Sequence, residues 1–135
     1  MSGKKKLLLV DDDPDFLKMY KQILEAKGLR VFCCSDPKEA LEWMEKKKPN
    51  LIITDLMMKT LDSGFSFSRK IKEDPRYSNI PVLIVTAVGS TRGFDFNPRT
   101  PEELEAMYAD AYFEKPVSPE AFIEKIEELL EEDTK

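Results

Sequence analysis

The sequence predicts an α/β protein built on a doubly wound parallel sheet with helices on both faces. Three short apolar runs carry this expectation: Lys6 to Val10, Leu51 to Thr54 and Pro81 to Val85. Runs of this length, apolar without alternation, suit strands buried on both faces, the environment of a parallel sheet. Each then meets polar residues: Asp11, Asp12 and Asp13 after the first, Asp55 after the second, Thr86 after the third. Strand and helix signals alternate five times without a linker or repeat. One domain is therefore expected over about 6–131, with short tails at 1–5 and 132–135.

The first strand is Leu7 to Val10. Asp13-Pro14 opens a helix, since Asp13 can cap it and proline suits a first helical position whose N–H would be unpaired anyway. Phe16, Met19, Tyr20, Ile23 and Leu24 recur at helical spacing, and Gly28 ends the helix after Lys27. Leu29 to Cys34 is the second strand. Asp36-Pro37-Lys38-Glu39 combines a cap, a proline and a reciprocal Glu, and starts a helix through about Lys47. Ala40, Leu41 and Met44 give it a core face, with Trp43 partly exposed.

The strand ending at Asp55 follows, then a turn around 59–64 and a helix over about Phe65 to Glu73. A loop framed by Asp74-Pro75 and Asn79-Ile80-Pro81 leads to the strand Val82 to Thr86. An irregular segment covers 88–99, and Thr100-Pro101-Glu102-Glu103 opens another helix through about Tyr108. Ala111 to Phe113 is a short last strand. Ser118-Pro119 caps a final helix with the stripe Phe122, Ile123, Ile126, Leu129 and Leu130, expected to fray from Glu131 onward.

The 135 residues suffice to bury a core without metal or disulfide staples. With 21 basic against 26 acidic side chains the net charge is −5, which argues against nucleic acid as the main partner. No stretch approaches the ~20 apolar residues of a membrane span and nothing resembles a signal peptide, so a cytoplasmic location with no membrane partner is expected. Cys33 and Cys34 are adjacent and would point to opposite faces of a strand, so no bridge joins them. Histidine is absent, which removes every His-based triad and any phosphohistidine of the chain's own. Neither a GxGxxG nor a Walker A pattern occurs, so a nucleotide site is not indicated.

Taken together, the strand ends place Asp11, Asp12 and Asp55 on one edge of the sheet. A pair of such carboxylates ~4 Å apart repels by about 1 kcal/mol in water and about 4 kcal/mol near a protein surface. A divalent cation offsets this, and oxygen-only ligands favour Mg²⁺ or another hard ion. Taken alone, the Asp11–Asp13 run reads equally well as a helix cap with solvated neighbours. Lys115, in Phe113-Glu114-Lys115-Pro116, follows the last strand on the same edge and shifts that balance. A lone surface lysine or strand-end threonine is usually structural. Lys115 and Thr86 together with a metal and a carboxylate nucleophile form a set suited to phosphoryl transfer.

The chain resembles a receiver domain of the bacterial two-component response regulators, of the stand-alone, chemotaxis-regulator kind. The matching pieces are Leu-Leu-Leu-Val-Asp-Asp-Asp-Pro at 7–14, Ile-Ile-Thr-Asp-Leu-Met-Met at 52–58, Pro-Val-Leu-Ile-Val-Thr-Ala at 81–87, and Lys115-Pro116. The resemblance implies a flavodoxin-like, five-stranded sheet of order 2-1-3-4-5. It also implies Asp55 as phosphoacceptor and a Mg²⁺ ion held by Asp12, Asp55, the backbone carbonyl of Met57 and, largely through water, Asp11. Thr86 and Lys115 would contact the phosphoryl oxygens, helped by the Ala87 amide. Tyr112 would be the switch aromatic that turns inward as Thr86 moves, and the bond before Pro116 is usually cis in this family.

Three departures from the family pattern stand out. Lys59 replaces a usual proline, and Asp62-Ser63-Gly64 shifts a glycine by one, so the loop after Asp55 should take its own path. The span from Thr86 to Lys115 is longer than usual; the excess, Gly89 to Pro98, includes Phe94 and Phe96, expected to pack it onto the body rather than form a partner-specific lid. Met57 and Val88 stand two residues after Asp55 and Thr86, where polar groups in the family help position the attacking water. Slow self-dephosphorylation is therefore expected.

The leading functional expectation is a phosphorelay protein that takes phosphate from a sensor histidine kinase or phosphotransfer protein. It would then change its binding surface for a downstream protein, with phosphorylation-dependent homodimerisation left open. No output domain follows in the sequence, so the response is expected to pass to another protein or along a relay. Two alternatives compete. A receiver-like binding module that no longer uses phosphate is disfavoured by the intact acids, Thr86 and Lys115. A Mg²⁺-dependent phosphatase with an aspartyl nucleophile commonly places a second acid where Met57 stands. Self-phosphotransfer and slow self-dephosphorylation alone would not make the chain an enzyme.

Overall fold

The apolar runs do become the strands of one sheet. The computed structural model describes residues 5–55, 63–86, 108–114 and 117–133. The strands are β1 (Lys6–Val10), β2 (Arg30–Cys34), β3 (Leu51–Thr54), β4 (Val82–Thr86) and β5 (Ala111–Glu114). They pair in the order β2-β1-β3-β4-β5. Each pair is parallel: Leu8 lies opposite Phe32 and Ile52, Thr54 opposite Ile84, and Thr86 opposite Glu114. The helices are α1 (Pro14–Glu25), α2 (Pro37–Lys46), α3 (Ser63–Glu73) and α4 (Pro119–Asp133).

Because strand side chains alternate, consecutive residues of one strand feed two separate cores. Leu7, Leu9, Leu51, Ile53, Leu83 and Val85 meet α1 and α4 through residues such as Tyr20, Leu24, Phe122 and Ile126. Leu8, Val10, Ile52, Val82 and Ile84 meet α2 and α3 through Ala40, Met44, Phe67 and Ile71. Leu7, Leu8 and Leu9 are all fully buried, as a strand covered on both faces requires.

The caps form as their sequence signals predict. The Asp13 carboxylate accepts the N–H groups of Asp15 and Phe16 at 3.0 and 3.4 Å. Asp36 accepts the Glu39 N–H at 2.8 Å, and the Glu39 carboxylate reaches back to the Ser35 N–H, also at 2.8 Å. The chain leaves α1 through Gly28 at φ 89°, a conformation open to a residue without Cβ. Tyr108 takes φ 57° just before β5, where a side chain is harder to accommodate. Trp43 is half-buried against Phe32, their centroids 4.9 Å apart.

Some expectations need correction. Met19 shares the helical spacing of the apolar residues of α1, yet it is 48% exposed. It sits at the margin of the apolar arc; Phe16, Tyr20 and Leu24 are buried, and Leu17 and Ile23 pack partly buried beside them. α1 stops at Glu25, with a turn through Gly28. α3 starts at Ser63, two residues early, and α4 runs to Asp133, past the expected fraying point. Cys33 and Cys34 are both free, one exposed and one buried on opposite faces of β2. On the outer side of β2, Lys21 Nζ donates to the Val31 carbonyl at 3.1 Å. The expected irregular segment 88–99, the Pro116 peptide and the helix expected from Thr100 through about Tyr108 lie outside the described residues, save Tyr108 itself, which is in a turn. No helix among the described residues is long and apolar enough to cross a membrane.

Candidate functional site

The carboxyl ends of β1 and β3 bring the predicted acids together. The ladder continues one residue beyond each strand: the Asp11 N–H donates to Cys34 O at 3.1 Å, and the Asp55 N–H to Val10 O at 3.0 Å. These bonds fix both backbones at the rim of the sheet. Asp11 is 1% exposed and Asp55 7%, whereas Asp12 is open to solvent. One carboxylate oxygen from each of Asp11, Asp12 and Asp55 lies within 4.8 Å of the other two. The three acids predicted from separate strand ends thus form one cluster.

Three carboxylates at this spacing repel one another, and burial of two removes the screening that water would supply. The positive end of the α1 dipole, which begins at Pro14 directly beyond the acids, offsets part of that cost. The donor set is all hard oxygen and combines two buried carboxylates with one at the solvent rim. It fits a small divalent cation that retains water, as Mg²⁺ does. One role was missed in the sequence: Asp11 Oδ1 also accepts the Asp13 N–H at 2.9 Å, holding the turn into α1. The i to i+2 spacing of Asp11 and Asp13 was the available signal, since an Asp side chain commonly bonds the backbone two residues on.

Thr86 is the last residue of β4, so its backbone reaches the same edge of the sheet as Asp55. Tyr112 lies in β5 opposite Ile84, half-buried against the core shared with α2 and α3. The Thr86 side chain lies outside the described residues, as do Ala87, Lys115, Met57 and Val88, and the insertion 89–98.

Comparison with known proteins follows the same outline. A family profile for the response regulator receiver domain matches residues 7–127. Response regulator Rre1 of Synechocystis sp. is 32% identical over 140 residues, an alignment covering 93% of this chain and 60% of the relative. The polar-differentiation response regulator DivK of Brucella anthropi is 29% identical over 126 residues, covering 93% of this chain and 96% of the relative. The chain spans 60%, 49% and 47% of the length of the first three curated relatives it matches. Among solved structures, the CheY-like receiver domain protein of Methanospirillum hungatei superposes with a TM-score of 0.79 at 28% identity, covering 98% of both chains.

Proposed function

This chain belongs to the response regulator receiver family, and from that premise we propose that it accepts a phosphoryl group on Asp55 and relays a two-component signal. The observation that carries the reading is the convergence of Asp11, Asp12 and Asp55 from two strands within 4.8 Å. The donor would be the phosphohistidine of a sensor kinase or phosphotransfer protein. An Asp55 carboxylate oxygen forms the new O–P bond as the N–P bond breaks; the electron pair returns to the imidazole, which then takes a proton. The product is an acyl phosphate on Asp55. Asp11, Asp12 and Asp55, with the Met57 carbonyl, would hold Mg²⁺, which supplies neutralising charge for the phosphoryl oxygens.

The protein's own part is to hold Asp55 nearly out of water at the sheet rim, fixed by its bond to Val10 O. Thr86 and Lys115 take the phosphoryl oxygens, aided by the Ala87 amide. Movement of Thr86 and inward rotation of Tyr112 then change the surface read by a downstream protein. The setting is cytoplasmic, and the chain is a signalling protein rather than an enzyme.

The test is direct. Incubation with Mg²⁺ and a small acyl phosphate should add one phosphoryl group, base-labile and visible by mass spectrometry. Asp55→Asn should abolish it; an adduct that persists in that variant would refute the assignment. Met57 and Val88 offer no polar group to guide water, so the adduct should decay slowly. Loss of the label at the pace of fast chemotaxis receivers would contradict that expectation.

A further inference from the structure

We propose that the amino edge of the sheet carries a second, independent site: a cation clamp that docks an acidic segment of a partner protein. Its centre is Phe32. Arg30 and Phe32 lie two apart on β2 and so share the face covered by α2. The Arg30 guanidinium carbon stands 5.3 Å from the Phe32 ring centroid, and Lys47 Nζ stands 5.1 Å from the same centroid. Trp43 packs beside that ring at 4.9 Å and an interplanar angle of 41°. Two cations from two different elements are thus gathered on one aromatic ring.

More positive charge surrounds them. Lys6 is the register partner of Arg30, and Lys46 and Lys48 flank Lys47. None of these five cations takes part in the ion pairs formed among the described residues. The negative end of the α2 dipole accounts for Lys46 in its last turn and for Lys47 at its C-cap. It does not account for Arg30, which opens a strand. Like charges gathered around one ring repel, and its negative π-faces offset only part of that cost. A carboxylate arriving from outside supplies the rest.

The surroundings favour a short acidic segment over a continuous polyanion. Glu42 and Glu45 are exposed on α2, and the net charge is −5. A nucleic acid or an anionic membrane would press its charge against an acidic molecule over a wide area, whereas a peptide can bring one or two carboxylates to the cations alone. Arg30 and Cys34 bound β2, so the clamp sits roughly 13 Å along the strand from the rim that bears Asp11 and Asp55. A partner seated here leaves that rim open.

Fluorescence anisotropy with the full chain at low salt, using a fluorescein-labelled Glu-rich peptide as probe, tests the proposal. Arg30→Glu with Lys47→Glu should weaken binding by about tenfold or more, and Lys18→Glu on α1 should leave it unchanged. Phe32→Leu keeps every charge but removes the ring, and should weaken binding about two- to fivefold. Amide shifts on titration should map to 30–33 and 43–48. If the double reversal fails to fold by circular dichroism, Arg30→Gln with Lys47→Gln takes its place with the same expected direction. Unchanged binding in Phe32→Leu would reduce the patch to unspecific charge and overturn the clamp. Tighter binding to oligodeoxythymidylate or to phosphatidylserine vesicles than to the peptide would overturn the choice of partner. So would self-association in sedimentation that the double reversal abolishes, since the occupant would then be a second copy.

Discussion

Asp11 serves two ends with one side chain: it holds the turn to Asp13 at 2.9 Å and stands within 4.8 Å of the Asp12 and Asp55 carboxylates. At an effective dielectric of ~20, charges this far apart interact by roughly 3 kcal/mol. Asp11→Asn keeps an acceptor for the Asp13 N–H and removes one charge. In EDTA it should therefore be more stable than the parent, by about 1–3 kcal/mol in urea denaturation. Millimolar Mg²⁺ should narrow or reverse the gap, because only the parent retains the full ligand set. At this scale the sequence was legible wherever bonds are local. Asp13 and Asp36 cap helices through N–H groups two or three residues away, which spacing alone reveals. Met19 shares the spacing yet lies exposed, because helical periodicity gives a direction and not the width of the buried arc. Burial, with Glu39 nearby, pushes the Cys34 thiol up to about 12, so it is an inert core residue at neutral pH.

The pairing of β4 with β5 depends on an anchor at its amino end. Asp110 N–H donates to Val82 O, and Asp110 Oδ2 accepts the Val82 N–H, both at 2.8 Å. The same oxygen receives Lys72 Nζ from α3 at 2.8 Å, and that ammonium also donates to Ile80 O at 2.8 Å. One carboxylate thus joins two strands and a helix. Asp110→Ala strips Val82 of its acceptor and Lys72 of its counter-ion, and should cost about 1–3 kcal/mol in urea denaturation, with Asp110→Asn recovering part. The three central strands are legible because strands buried on both faces are written as apolar runs, whereas the edge strands β2 and β5 are legible from their place between helix signals. Helix ends were harder: the Glu-rich end of α4 stays helical to Asp133 because Glu and Leu are good helix formers. The Asp110–Lys72 contact was invisible, since it joins residues 38 apart in sequence.

Across the whole molecule, the two cores are joined through shared strands rather than a common interior. Leu8 belongs to one and Leu9 to the other. Phe67, 1% exposed on α3, fills only the core under α2 and α3. Phe67→Ala should cost about 3–5 kcal/mol. Near- and far-ultraviolet circular dichroism should still melt together, because neither core can loosen without the strands they share. Two separated transitions would contradict this. The cluster of acids was legible because each member ends an apolar run, while the closeness of the clamp cations needed the folded β2 and α2. The sheet also has an outer border at β2, where the carbonyl of Val31 is already taken by Lys21 Nζ. A neighbouring molecule that tried to lay a strand alongside would find that rung filled and a charge in its path. The lysine thus guards one rung of the sheet's open border against pairing.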